Sequence, residues 1–167
     1  MNKSADFYIE HLKLEKHPEG GYFSEVYRSD EIIKNEALPE RYTGNRVFST
    51  SIYFLLKNDQ VSSFHRIKSD EIWHLYEGGS LTIYVIDENG NLNKNILGRD
   101  IEKGETFQFT LPKNCWFGAE LNDKTGFALI GCTVSPGFDF KDFELGQRDF
   151  LLNTYPQYSD IIEKLTN

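Results

Sequence analysis

Between residues 47 and 134 the chain is a succession of short β-branched and aromatic runs, each closed by a turn, and this limits its fold more than any other feature. The runs are VFSTSIYFLL (47–56), VSSFHR (61–66), EIWHLY (71–76), LTIYVID (81–87), LNKNIL (92–97), ETFQFTL (105–111), CWFGAEL (115–121) and FALIGCTV (127–134). Between them stand KND, KSD, the Gly78–Gly79 pair and the ENGN sequence, whose Asn-Gly step is a strong hairpin signal. Many short strands at this spacing predict an all-β sandwich or closed barrel. An aromatic content of 14% points the same way, because aromatic side chains suit pleated, half-buried surfaces.

The flanks read differently. Ser4 is a helix N-cap for a segment at about 4–14, with Phe7 or Tyr8, His11 and Leu12 at helical spacing. HPEGG (17–21) stops that helix and turns the chain, and YFSEVYR (22–28) alternates as a strand. This strand lies outside the main series and is expected to be able to add to a partner subunit's sheet, covering an exposed edge. Residues 30–46 are a polar excursion or hairpin. After Pro136–Gly137 the chain mixes aromatic and acidic residues, with helical periodicity over 144–153 and a last short helix after Pro156. One domain spanning 1–167 is predicted, with its barrel at about 21–135 and a helical tail at about 141–165.

A net charge of −8 and no run of Lys or Arg argue against nucleic acid and against an anionic membrane surface. An anionic small molecule stays open, since a few inward arginines can outweigh the global charge locally. The two cysteines, Cys115 and Cys132, have no CxxC spacing, and there is neither a leader-like segment nor an apolar run long enough to span a bilayer. A cytoplasmic protein with reduced core thiols is expected.

The chemistry concentrates in SSFHRIKSDEIWHLYEGG, residues 62–79. The cupin superfamily carries a first motif of Gly, five residues, His-x-His, three or four residues, Glu, six residues, Gly. His65 takes the first histidine position, Glu71 the glutamate and Gly78 the closing glycine, while Ile67 stands at the second histidine. In the weak counterpart of the second motif, from Gly104 through Pro112, Trp116 or Phe117 falls where a metal-binding histidine belongs. The segments HPEGGYFSEVYRS, SIYFLL, FHRIKSDEIWHLYEGG, GETFQFTLP and GCTVSPGFDFKDFEL resemble the Cupin_5 family, also called DUF985. That resemblance implies an RmlC-like cupin, a double-stranded β-helix jelly-roll barrel with short terminal helices, commonly a homodimer and of undefined role. It also implies similarity in fold to the dTDP-4-dehydrorhamnose 3,5-epimerases, metal-free cupins in which a histidine at the position of His65 acts as base and a tyrosine as acid.

The residues themselves allow such chemistry. Removing a proton next to a carbonyl needs a base with a pKa near neutrality, which imidazole supplies. The expected site therefore has His65 as general base, Glu71 as its partner, and Tyr53 or Tyr84 as proton donor. Gln108, Trp116 and Trp73 are read as ligand-binding wall, and Arg28 and Arg66 as a clamp for phosphate or carboxylate. No cofactor is expected. A divalent metal at His65 and Glu71 is the minor reading, because two protein ligands rarely hold one firmly. The expected ligand is a small, sugar-like or carbonyl-bearing molecule. The alternatives are a non-catalytic binding or sensing barrel and a metal-dependent cupin with an irregular site.

Bland readings stand beside these. His11 and His17 are read as structural, Gly20–Gly21 as turn chemistry, and His74 as pointing away from the barrel if Glu71 points in. SPGFDF (135–140) is read as a packed turn rather than a lid. Asp139, Lys141, Asp142 and Glu144 are read as a solvated face.

Overall fold

The structure, a computed structural model, describes residues 3–166; residues 1, 2 and 167 of the predicted single-domain span lie outside it. Helix α1 (Ala5–His11) starts where Ser4 Oγ accepts the amide of Phe7 at 3.2 Å. The strands that follow are β1 (Glu15–Lys16), β2 (Tyr22–Arg28), β3 (Ile32–Ile33), β4 (Arg46–Val47), β5 (Thr50–Lys57), β6 (Val61–Arg66) and β7 (Asp70–Gly78). They continue with β8 (Leu81–Ile86), β9 (Leu92–Leu97), β10 (Gln108–Leu111), β11 (Trp116–Leu121), β12 (Phe127–Ser135) and β13 (Glu144–Leu145). Helices α2 (Arg148–Thr154) and α3 (Ser159–Lys164) close the chain. No helix among the described residues is long and apolar enough to cross a membrane.

Two antiparallel sheets face each other, in the orders β1-β2-β5-β12-β7-β10 and β13-β6-β11-β8-β9. This is the jelly-roll cupin arrangement: from β5 to β8, and again from β9 to β13, successive strands alternate between the sheets, so residues far apart in sequence meet inside. The 30–46 excursion is a hairpin, with β3 paired to β4. The periodicity over 144–153 resolves into strand β13, which extends the five-stranded sheet at β6, and then α2. Strand β2 lies near the margin of the six-stranded sheet, with only the two-residue β1 beyond it. It pairs with β5 of its own chain, Phe23 opposite Phe54, so it extends the chain's own sheet.

Strand alternation sorts the side chains into three apolar clusters. Phe54, Trp73, Ile83, Val85 and Phe117 point between the sheets. Phe64, Tyr84, Ile86 and Trp116 point the other way and are covered by α2 and α3 through Leu151, Ile162 and Leu165. On the outer face of the six-stranded sheet, Leu55 and Leu129 are covered by α1, with Tyr53 at that margin. Each fully buried aliphatic or aromatic side chain contributes about 1.5–3 kcal/mol, so the two helical covers are as much a part of folding as the barrel interior.

Candidate functional site

One end of the barrel interior is not filled. A pocket remains there, lined on its apolar side by Phe23, Phe54, Phe138, Phe140 and Phe143, and on its polar side by His17, Glu19, His65 and Glu71. Strand β6 delivers His65, strand β7 delivers Glu71, and the HPEGG turn ahead of β2 delivers His17 and Glu19.

That turn needs its glycines. Gly20 has φ +110° and a Cβ there would stand 2.2 Å from the Val61 carbonyl oxygen; at Gly21, with φ +68°, it would stand 2.7 Å from that of Leu55. Only residues without a side chain let the turn press against the barrel in this conformation. The Ser63 amide then donates to the Glu19 carbonyl at 2.8 Å, which drops the Glu19 side chain into the pocket.

The expected pairing of His65 with Glu71 is replaced by His65 with Glu19. His65 Nε2 lies 3.1 Å from Glu19 Oε2. The other ring nitrogen, Nδ1, is 2.8 Å from the Ser63 carbonyl oxygen, which can only accept, so Nδ1 carries a proton. Glu19 Oε1 accepts from Ser62 Oγ at 2.8 Å, and His17 Nδ1 lies 3.3 Å from Oε2. Nε2 and Oε2 face each other across this contact, so a proton added to the pair would lie between ring and carboxyl. Burial would raise Glu19, but facing His65 and the hydrogen bonds from His17 and Ser62 outweigh it and hold this carboxyl below its ordinary range. Burial pushes the His65 ring toward its neutral form, against the pull of Glu19 and the Ser63 carbonyl.

Glu71 is the opposite case. Its side chain is buried, Trp73 Nε1 donates to Oε1 at 2.8 Å, and the Cys132 thiol donates to the same carboxyl. Among the described residues, no lysine or arginine is paired with it. Desolvation, then the nearby charge of Glu19, push its pKa up to about 7, against the two hydrogen bonds and the smaller pull of His17. A carboxyl with that value exchanges its proton freely near neutral pH.

The remaining expected site residues separate. Arg28 lines the mouth of the pocket, where Nε and Nη2 hold both carboxylate oxygens of Glu25 at 3.0 and 2.6 Å and Nη1 donates to the Phe138 carbonyl. Trp73 lies behind Glu71 as its hydrogen-bond donor. Tyr53 and Tyr84 face away, because their neighbours Ile52 and Phe54, and Ile83 and Val85, take the inward positions. Tyr84 instead donates to Glu120 at 2.9 Å. Trp116 packs in the cluster beneath the C-terminal helices, with the Arg66 guanidinium 4.4 Å from its ring centroid and Arg66 paired to Glu144. Gln108 sits opposite His74 on the outer surface, so His74 does point away from the barrel.

Sequence reasoning placed His17, the SPGFDF turn and Asp142 outside the site and passed over Glu19. His17 and Glu19 belong to the pocket. The SPGFDF turn and its continuation supply the aromatic wall through Phe138, Phe140 and Phe143. Asp142, between two of these rings, is buried and not solvated: Arg46 grips it with Nε at 2.6 Å and Nη2 at 2.5 Å.

Metal-holding cupins share this fold, but the donor set here does not fit a metal cage. Ile67 and Phe117 belong to the apolar core, His65 Nε2 is engaged by Glu19, and no group of three or more His, Cys, Asp or Glu side chains among the described residues is arranged around one point.

The comparisons agree with this architecture. The Cupin_5 family, described as cupin superfamily (DUF985), matches residues 6–146, and the chain belongs to it. It is 33% identical over 144 residues to the Saccharomyces cerevisiae uncharacterized protein YML079W, covering 80% of this chain and 71% of that one. The crystal structure of protein SO0799 from Shewanella oneidensis is 43% identical, with TM-score 0.90 and 99% of each chain covered. A hypothetical protein from Leishmania major is 35% identical, with TM-score 0.87 over 98% of this chain and 99% of that one. The oxalate decarboxylase of Bacillus subtilis, at 15% identity and TM-score 0.54 over 92% of this chain and 38% of its own, shares the fold alone.

Proposed function

We propose that this cupin is a metal-independent, isomerase- or epimerase-like enzyme that moves a proton on a small carbonyl compound. The observation that carries the reading is the presence of two different proton-holding groups in one aromatic pocket: Glu71, and the His65–Glu19 pair. Such a transfer needs a base for the carbon-bound proton and an acid for the carbonyl oxygen or the opposite face. Ionised Glu71 takes the proton from the carbon next to the carbonyl, and the C–H electron pair becomes the enolate. The proton held between Glu19 and His65 goes to the enolate oxygen. Protonated Glu71 then gives its proton to the former carbonyl carbon of the enediol, and the hydroxyl on the neighbouring carbon returns a proton to the Glu19–His65 pair, which yields the isomer and restores both groups. Both His65 nitrogens are engaged, so the base role expected for His65 passes to Glu71, and His65 keeps the shared proton in place.

Solvent-deuterium incorporation into small hydroxy-carbonyl compounds, followed by proton NMR, tests this. Wild type is expected to wash in deuterium at the carbon next to the carbonyl, and His65→Asn to lose most of the rate with its melting temperature lowered but a cooperative transition retained. A wild type that leaves every such compound unlabelled would refute it.

The binding-module reading has one observation on its side: among the described residues, every buried polar side-chain atom already has a partner within the protein. Ligand binding without exchange selects it. The reading also takes the protein to be a two-fold homodimer, supported by the exposed Val26 and Tyr27 along the β2 edge and the exposed Ile32 and Phe48 beside it. Light scattering after size exclusion is expected to give twice 19.4 kDa.

A further inference from the structure

Charge and space in the pocket narrow its ligand, given the reading above that the pocket binds a small molecule. The cavity measures about 70 Å³ for the centres of water-sized molecules. That is room for roughly five to seven waters, hence for a group of similar heavy-atom count. Its deep end carries two buried carboxyls, Glu19 and Glu71. Among the described residues lining it, Arg28 is the one arginine or lysine, and its guanidinium is held by both oxygens of Glu25 and by the Phe138 carbonyl. An incoming phosphate or carboxylate would meet a spent cation at the mouth and two carboxyls inside. Stripping its water would then bring no compensating ion pair. The five phenylalanines offer apolar surface to a carbon skeleton and nothing to an anion.

We infer that the pocket selects uncharged hydroxy-carbonyl compounds of about three or four carbons and rejects their carboxylate and phosphate counterparts. The Arg28–Glu25 fork sets this rule, since it engages the one arginine or lysine among the described residues lining the pocket.

A matched three-carbon series tests it: dihydroxyacetone, glycerate, dihydroxyacetone phosphate and the amine serinol. The indole N–H resonances of the two tryptophans report the result in one spectrum. Trp73 donates to Glu71 and reads the pocket, while Trp116 lies beneath the C-terminal helices and serves as control. Dihydroxyacetone is expected to shift the Trp73 signal and leave Trp116 in place, with an affinity at least about tenfold above that of glycerate or the phosphate. Glu25→Gln releases Arg28 and is expected to raise glycerate affinity several-fold.

Tighter binding of either anion, tighter binding of serinol, no Trp73 shift with any member, or no change in glycerate affinity on Glu25→Gln would each overturn the inference. Binding of dihydroxyacetone without deuterium exchange would leave the inference standing and remove the catalytic reading. Exchange on the phosphate alone would do the reverse.

Discussion

Glu71 and Glu120 are both buried glutamates on barrel strands, and their surroundings give them opposite chemistry. Glu120 lies on the far side of the five-stranded sheet, where Lys124 and Lys164 each reach it at 2.6 Å and Tyr84 donates at 2.9 Å. Burial would raise its pKa, but these three donors outweigh burial and hold it low; in return Tyr84, buried and facing Glu120, is pushed up to about 12. Glu71 has an indole and a thiol where Glu120 has two ammonium groups, and it sits near 7. Depth alone therefore does not make a reactive carboxyl; the missing cation does. Glu120 pins α3 to the barrel, and Glu71 is left able to give and take a proton.

The sharpest way to break this contrast is to neutralise each carboxyl in turn. Glu71→Gln keeps an acceptor for the Trp73 N–H and is expected to lower deuterium exchange by at least about 100-fold, while Glu120→Gln leaves exchange near wild type. Equal losses in the two variants would show that burial and not proton chemistry matters.

A third buried carboxylate, Asp142, extends the comparison because its cation is present and itself buried. Arg46→Met removes both of its short hydrogen bonds, leaves that charge only the Lys68 ammonium at 3.6 Å, and is expected to cost about 3 kcal/mol in denaturant unfolding. The aromatic wall should loosen with it, since Phe140 and Phe143 flank Asp142. A loss below about 1 kcal/mol would mean that the pair is not what anchors the wall.

Proton linkage gives the next effect. The folded protein keeps the Glu71 proton up to about pH 7, whereas an unfolded chain releases it near 4.5. Between these values the folded state binds more protons, so stability falls as pH rises through the window, by about 3 kcal/mol in all, and this contribution is flat on either side. Glu19 acts with the opposite sign and elsewhere: its lowered value adds stability above 4.5 that is lost as pH falls further. The wild-type minus Glu71→Gln difference isolates the slope between 4.5 and 7. A flat difference would contradict the raised value.

The smallest effect belongs to the compensated site. Lys164→Met removes one of two half-exposed cations from Glu120 and should cost about 0.5–1 kcal/mol, with no change in exchange. Loss of activity there would mean that α3 reaches the pocket chemistry.

Much of the barrel was legible because strand signals are local. VSSFHR and LTIYVI coincide with β6 and β8 almost residue for residue, and period-two alternation from Glu71 correctly sent Trp73 inward and His74 outward. The same parity, applied from Phe54 and Val85, excludes Tyr53 and Tyr84 from the interior. They were named for their chemistry rather than their register. Trp116 failed for the same reason, since Phe117 opposite His65 takes the inward place.

The order of short strands, the positions of His65 and Glu71 and the absence of metal ligands at Ile67 and Phe117 were all present in the linear chain, because spacing and alternation act over a few residues. The partner of His65 was not. Glu19 lies far away along the chain, on a turn whose glycines reveal their purpose only against the Val61 and Leu55 carbonyls. Which cation meets which buried carboxyl is likewise a contact between distant segments. Those contacts separate Glu71 from Glu120 and Asp142, because a buried charge takes its pKa from what the folded chain brings to within a few ångströms of it.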